Sequence, residues 1–111
     1  MPNSKKLRIS GPAKLDLGRI GEYTRREWGA ARKQKYLGQI KDGFKAVRDA
    51  PGIGARRDDI HTGLRAHPVQ KHVIFYRETK TELVIVRVLH QSMNPELHLR
   101  LTRDRTGGGS R

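Results

Sequence analysis

The chain has 111 residues, which is enough for one hydrophobic core but too few for two domains. It contains no cysteine, which excludes disulfide frameworks and thiolate metal sites and favours a reducing cytoplasm. Lys and Arg number 24 against 11 Asp and Glu, and the net charge of +13 predicts an anionic partner, either nucleic acid or an acidic protein.

The first predicted elements are a short strand and a helix. Apolar and polar residues alternate over residues 6–10 until a Gly-Pro pair interrupts the ladder. A helix follows at residues 13–28, with Ser10 as candidate N-cap and Gly29 as an αL stop. Trp28 is interpreted as a core plug between two helices, the alternative being a contact with a partner.

A second helix is predicted at residues 30–50, followed by a proline and a polar loop at residues 55–61. Five apolar residues form one stripe along it: Tyr36, Leu37, Ile40, Phe44 and Val47. Because Gly29 leaves almost no loop between the helices, we expect an antiparallel helical hairpin on one face of a sheet. The basic residues opposite the stripe are interpreted as a solvated surface.

The centre of the predicted sheet is a β-hairpin at residues 71–90, in which two apolar runs flank the polar residues 78–82. A short strand at residues 63–66 precedes it and ends near Pro68. Both faces of the hairpin are apolar, so helices or a partner should cover both. Strict alternation predicts that Leu83, Ile85 and Leu89 lie on one face of the sheet. It places Val84, Val86 and Val88 on the opposite face.

We expect six residues to be buried between the helical hairpin and the sheet: Trp28, Ile40, Phe44, Ile74, Val86 and Val88. Arg87 is the one charge that breaks the apolar pattern of the last strand. An unpaired ionised guanidinium is very costly to bury. Arg87 is therefore expected either to reach a carboxylate or to lie beside a groove kept open for a ligand.

The C-terminal part carries a helix signature after His90, with Asn94 as N-cap and a proline at the first helical position. We expect one or two turns of helix there. Residues 1–99 are predicted to form a single domain and residues 100–111 a basic, flexible tail. No two histidines have a metal-binding helical spacing and no apolar run has membrane-spanning length, so no metal, other cofactor or membrane anchor is expected.

Short motifs recur in a fixed order between Leu7 and Leu99 and resemble the ParE toxins of ParDE toxin–antitoxin systems, in the RelE/ParE superfamily. They are Tyr23, Trp28 and Gly29, then Tyr36 and Ile40, residues 51–54, 63–65, 72–77 and 85–90, and finally Met93, His98 and Leu99. The resemblance implies an α+β fold of order β-α-α-β-β-β. Its helical hairpin packs on a small antiparallel sheet, and a short C-terminal helix follows.

The resemblance also implies a function. ParE-like toxins act on DNA gyrase without being nucleases, and an acidic, partly disordered ParD-like antitoxin neutralises them. Two alternatives stay open: a RelE-like ribosome-dependent messenger RNA endonuclease, and a basic nucleic-acid-binding module. RNA cleavage needs a proton acceptor, a proton donor and a cation at the phosphate. Only His90, paired with Arg87, is placed for that chemistry, since no tyrosine follows Tyr76.

Two contact surfaces are predicted. Antitoxin contacts are assigned to Arg8, Trp28, Arg65 and Arg87. Target contacts are assigned to the C-terminal stretch, at Met93, His98, Arg100, Arg103 and Arg105. The protein is then expected to contact nucleic acid only indirectly, through the target or the antitoxin complex.

Overall fold

The computed structural model describes residues 5–99, which form a five-stranded sheet with two helices against one face. The elements are β1 (Lys6–Ile9), α1 (Gly11–Trp28), α2 (Ala30–Asp49), β2 (Ala55–Arg56), β3 (Arg65–Val69), β4 (His72–Glu78) and β5 (Glu82–His90). A 3₁₀ turn spans Pro51–Ile53, and residues 95–99 are helical. The predicted α+β fold with a short C-terminal helix is confirmed. The predicted tail at 100–111 lies outside the described residues.

The strands lie in the order β1-β5-β4-β3-β2. β1 pairs in parallel with β5, and the other neighbours are antiparallel. The chain therefore leaves one edge of the sheet, crosses its face through both helices, and returns at the opposite edge. Within residues 5–99, neither helix combines the length and the apolar composition that a membrane crossing requires.

Three strand predictions need correction. β2 forms within the predicted polar loop, where it pairs with Arg65 and Ala66. β3 continues through Pro68 to Val69. Proline is tolerated there because β2 pairs only with Arg65 and Ala66, so on that side no strand needs the N–H that Pro68 lacks. The hairpin loop comprises only residues 79–81, since Glu78 and Glu82 belong to the paired strands. Glu78 and Glu82 have the polar character of loop residues, but both lie at the ends of paired strands.

The start of α1 is held by Ser10, as predicted. The Ser10 hydroxyl accepts a hydrogen bond from the Ala13 N–H at 3.1 Å and donates one to the Val86 carbonyl at 2.8 Å. The cap therefore satisfies a free helix N–H and also ties the helix to β5.

The two helices meet at Gly29, which has φ +97° and ψ 170°. This is an extended conformation at positive φ that essentially only glycine adopts, not the αL conformation that we expected. Inside α1, a Cβ on Gly21 would lie 3.0 Å from Cε of Lys33 and 3.2 Å from Cδ1 of Leu37. Glycine at position 21 thus permits close packing of the helices.

The helix-facing core contains Ile40, Phe44, Ile74 and Val88, as predicted. Trp28 does not join it: its side chain is 65% exposed at the last residue of α1, so the core-plug interpretation is wrong. Trp28 follows the last buried residue of α1 by a full helical turn. The buried residues of this helix are Ala13, Asp16, Ile20, Gly21 and Thr24.

β5 contains a bulge. Phe75 pairs with Arg87 and Tyr76 pairs with Ile85, so Val86 is an extra residue without a partner in the register. An inserted residue shifts every later side chain to the opposite face of the sheet.

The bulge overturns the strict alternation predicted for β5. Val88, and not Leu89, lies with Leu83 and Ile85 in the helix-facing core. Leu89 belongs to a second cluster on the opposite face, and Val86 packs against that cluster instead of under the helices.

The second face of the sheet is covered by a loop and by the C-terminal helical turn. Its buried residues are Ile60, Leu64, Phe75, Leu89 and Leu99. Asn94 caps the helical turn by accepting a hydrogen bond from the Glu96 N–H at 3.0 Å, as predicted. Both faces are covered, as expected, but a loop and a single helical turn cover the second face where we expected helices or a partner. Leu97 of that turn remains 56% exposed.

Candidate functional site

Arg87 reaches a carboxylate, which is one of the two outcomes expected from the sequence. Its Nε donates to Oδ2 of Asp16 at 2.8 Å and its Nη2 donates to Oδ1 at 2.9 Å. The Val88 N–H donates to Oδ2 at 2.9 Å. Both side chains are nearly buried, with 5% of Asp16 and 12% of Arg87 exposed. The hydrogen bonds that Arg87 donates to Asp16 raise the pKa of Arg87, so its charge is held and neutralised inside the protein.

An open groove of about 820 Å³ lies between the helical hairpin and the end of the β4–β5 hairpin. We call it the Trp28 groove. It is lined by aromatic and apolar side chains, by histidines and by cations, namely Ile20, Tyr23, Trp28, Tyr36, His72, His90, Met93, Arg19, Arg32, Lys35 and Lys71, together with Thr24, Gln39 and Gln70. Its volume lies in the range of ligand-binding clefts, about 300–1,000 Å³.

The floor of the groove holds a hydrogen-bonded ring cluster. Tyr36 and His72 are joined by a hydrogen bond of 2.6 Å between the phenol oxygen and Nδ1. The same oxygen accepts the Lys71 N–H at 3.2 Å. His72 and His90 are cross-strand partners, and their rings meet edge to face with centroids 5.2 Å apart. From the sequence, only His90 was a candidate for acid–base chemistry, and His72 was missed.

The bulge explains why His72 was missed. The register before the bulge, with Glu78 opposite Leu83, would place His72 opposite Leu89 if it continued. The extra residue at Val86 moves the pairing by one and brings His72 opposite His90. The only sequence signal for this contact was the presence of a histidine near each open end of the hairpin.

The two histidines have different environments. The pKa of His72 is lowered from 6.5 to about 4, mainly by burial and also by the nearby His90, while Asp16 acts in the opposite direction. His72 is therefore neutral near pH 7. Nδ1 of His90 accepts the Ser92 N–H at 3.1 Å and lies 2.7 Å from the Ser92 hydroxyl. A neutral His90 consequently carries its proton on Nε2, which leaves a donor available.

The rim of the groove is positively charged. Its cations are Arg19, Arg32, Lys35 and Lys71, and no Asp or Glu of residues 5–99 lines the groove. The guanidinium of Arg32 lies 5.1 Å from the ring centroid of Trp28, within the range of a cation–π contact. Arg19 lies 4.0 Å from Asp16, whose carboxylate is already engaged by Arg87. The groove therefore presents apolar surface bordered by positive charge.

The residues predicted to bind the antitoxin occupy separate places in the fold. Arg8 lies on the edge strand β1, where its Nε donates to Glu82 at 3.0 Å. Arg65 lies on β3, which β5 and β4 separate from β1, and donates to the Gly54 carbonyl at 2.7 Å. Trp28 lines the groove, and Arg87 is held within the protein by its own carboxylate partner. Their contacts with an antitoxin remain predictions.

The residues predicted to bind the target fall partly outside the described chain. Met93 is 39% exposed and lines the Trp28 groove. His98 lies half-buried on the C-terminal helical turn. Arg100, Arg103 and Arg105 lie beyond residue 99, so their placement stays a prediction.

Comparison with known proteins identifies relatives along most of the chain. The family model of the ParE toxin of type II toxin–antitoxin system, parDE, matches residues 7–95. Toxin ParE1 of Caulobacter vibrioides is 35% identical over 95 residues, which cover 86% of this chain and 98% of the relative. Toxin ParE of Escherichia coli is 33% identical over 89 residues, which cover 78% of this chain and 84% of the relative.

Solved structures share the fold. A chain of the chromosomal ParDE TA system from P. aeruginosa superposes with a TM-score of 0.69 at 20% identity, covering 78% of this chain and 96% of that chain. A chain of the toxin–antitoxin complex RelBE2 from Mycobacterium tuberculosis has a TM-score of 0.57 at 19% identity, covering 79% and 99%. With the family model matched over residues 7–95, the chain belongs to the ParE toxin family of type II toxin–antitoxin systems.

Proposed function

We propose that this ParE-family toxin acts in the cytoplasm by binding DNA gyrase, without catalysing a reaction, and that an acidic ParD-like antitoxin neutralises it. The observation that carries the non-enzymatic part is the ion pair between Asp16 and Arg87. The gyrase target rests on the family resemblance, and the reducing compartment rests on the absence of cysteine.

The ion pair argues against the RelE-like alternative because it engages the cation which that mechanism assigns to the phosphate. Arg87 uses Nε and Nη2 on Asp16. Turning it toward RNA would leave the Asp16 carboxylate buried without its partner, at a cost of about 3–5 kcal/mol. Nδ1 of His90 is also engaged, by Ser92. These contacts favour a structural role for the two residues that a nuclease would need.

The acidic antitoxin is supported by charge. The chain carries a net charge of +13, and among residues 5–99 no carboxylate lines the Trp28 groove beside its cations. An acidic protein would relieve the mutual repulsion of these cations. The two solved relatives come from a ParDE system and a RelBE2 toxin–antitoxin complex. An antitoxin partner for this chain accords with both.

The proposal is tested with two assays on the same purified toxin. DNA supercoiling by purified gyrase should fall as toxin is added and recover when the antitoxin is present. Messenger RNA on translating ribosomes should stay intact at the same toxin concentrations. Intact supercoiling together with ribosome-dependent cleavage would replace this proposal with the RelE-like alternative. Salt-sensitive binding to generic DNA and RNA, with neither effect, would favour the nucleic-acid-binding module.

A further inference from the structure

We propose that the Trp28 groove of the free toxin binds a single strand of DNA, with bases stacked on Trp28 and Tyr23 and phosphates held by the surrounding cations. This goes beyond the proposed function, in which the toxin contacts a protein target and a protein antitoxin. The binding of a strand follows from the groove itself, whereas the choice of DNA over RNA rests on the proposed gyrase target.

Two exposed aromatic rings of α1 line the groove. Trp28 is 65% exposed and Tyr23 is 57% exposed. They are five residues apart in one helix, which separates them by about 7.5 Å along its axis, or roughly two base steps of a stacked strand. An unpaired base can stack on such a ring whatever its sequence, because every base has a π-face. The rings therefore provide two stacking positions for bases of one strand.

Positive charge surrounds these rings on several elements. Arg19, Arg32 and Lys35 line the groove from the two helices, and Lys71 lines it from the turn before β4. Within residues 5–99, no carboxylate lines the groove beside them. The Arg32 guanidinium lies 5.1 Å from the ring centroid of Trp28, so a cation adjoins one stacking position. The phosphates that flank a stacked base are the anions that fit this arrangement.

The positive charge continues beyond the groove, which favours a strand over a single nucleotide. A shallower groove of about 460 Å³ along α1 shares Arg19 with the Trp28 groove and is also lined by Lys14 and Arg26. Among the described residues it has one carboxylate in its lining, Glu22, which Arg25 engages at 2.7 Å. Lys14 and Arg26 are about 18 Å apart along the helix axis, a distance of roughly five steps of a stacked strand.

The groove also carries side chains suited to the edges of bases. Gln39 and Gln70 line it, and each amide offers donors and an acceptor. Gln70 has φ 55°, in the left-handed region that favours glycine, so the turn before β4 keeps a long amide side chain at a position better suited to glycine. The Nε2 proton of His90 is a further donor, because Ser92 engages Nδ1. An acidic peptide matches the cations but, unlike a strand, supplies no row of planar rings.

The test of stacking measures binding of a fluorescein-labelled single strand of about 12 thymidines to the full chain, by fluorescence anisotropy. Trp28→Ala should weaken binding at least about fivefold, as expected for the loss of one stacked base, and Trp28→Phe should recover most of the affinity. Trp28 is the only tryptophan of the chain, so an unlabelled strand should also quench its intrinsic fluorescence. Both readouts report ring contact, which charge attraction alone does not produce.

A matched pair of variants tests the cations. Arg32→Gln/Lys35→Gln should weaken binding and reduce the slope of log affinity against log salt by about 1.4, as expected for two lost phosphate contacts with a single strand. Lys41→Gln/Lys45→Gln removes the same charge from an exposed part of α2 outside the groove, and should change the slope by less than about 0.5. Equal effects of the two variants would show general attraction to a basic protein and would overturn the inference.

Three further results would overturn the inference. The first is a folded parent that shows no saturable binding of the strand. The second is an oligoglutamate of equal charge that quenches Trp28 as strongly, since the groove would then be an acidic-peptide site. The third is tighter binding of single-stranded RNA, which would overturn the choice of DNA. None of these depends on the supercoiling assay, so gyrase inhibition without strand binding fails only this inference, and strand binding without gyrase inhibition fails only the proposed function.

Discussion

Asp16 and Arg87 are 71 residues apart in the chain and form a bidentate ion pair between α1 and β5. Asp16 also accepts the backbone N–H of Val88, so one carboxylate receives three hydrogen bonds from the strand. A buried pair of this kind adds little net stability over apolar residues, but removing one partner is strongly destabilising. The pair therefore fixes the position of α1 along β5.

Replacing one partner of the ion pair should show how much free energy it costs to bury the other charge alone. We expect Arg87→Met to lower the free energy of unfolding by about 3–5 kcal/mol, because it leaves the Asp16 carboxylate buried without its cation. Adding Asp16→Asn should recover part of this loss, since an amide oxygen still accepts the Val88 N–H. Urea denaturation measures both variants. A double variant less stable than Arg87→Met alone would contradict the assignment.

Truncation to alanine should lower the free energy of unfolding much more at Phe44 than at Trp28. Phe44 is 1% exposed in the helix-facing core, and Phe44→Ala should cost about 3–5 kcal/mol of stability. Trp28 is 65% exposed, and Trp28→Ala should cost less than about 1 kcal/mol. Thermal and urea unfolding of the two variants give the comparison. A Phe44→Ala variant that melts like the parent would show that the core is wrongly placed.

His72 should make stability depend on pH in the acidic range. Its pKa is about 4 in the folded protein and 6.5 ordinarily, so the unfolded chain binds more protons between these values. The contribution is fully present above pH 6.5 and is lost as the pH falls toward 4.

The control for this pH dependence is His72→Gln, which can still hydrogen-bond to Tyr36 but does not titrate. Carboxylates titrate in both proteins, so the informative quantity is the difference between the two stability curves. The variant should lose less stability on acidification than the parent. Parallel curves would show that His72 keeps its ordinary pKa.

His90→Ala should leave growth inhibition largely intact if the toxin is not a nuclease. The Nδ1 of His90 is engaged by the Ser92 turn, and losing these contacts should cost only about 0.5–1.5 kcal/mol. Growth after induced expression and the integrity of messenger RNA are the measurements. Complete loss of toxicity, together with messenger RNA cleavage by the parent, would favour the nuclease alternative.

A chain that ends at Leu99 should separate the two predicted surfaces. Leu99 is buried in the second cluster, so the shortened chain retains that packing. It should still bind the antitoxin but inhibit gyrase less, because it lacks the basic stretch that contains Arg100, Arg103 and Arg105. Equal inhibition by a folded, antitoxin-binding truncation would move the target surface to the helical hairpin.

Elements whose cause lies within a few residues were predictable from the sequence. Ser10 caps α1 and Asn94 caps the C-terminal turn because each side chain accepts a hydrogen bond from a backbone N–H two or three residues further on. The apolar stripe that contains Ile40 and Phe44 was visible because its helical period is a local property. The sequence also indicated the family, through the order of short motifs, and limited Arg87 to two environments.

The tertiary structure alone decided the features of the candidate site. The extra residue at Val86 reversed the faces of β5 and brought His72 opposite His90, and no local pattern marks that residue as a bulge. The choice of Asp16 as the partner of Arg87 depends on how α1 packs along β5, and the exposure of Trp28 depends on where the core ends. These relationships join residues far apart in the chain, so they follow from strand register and helix packing, which short-range sequence patterns do not specify.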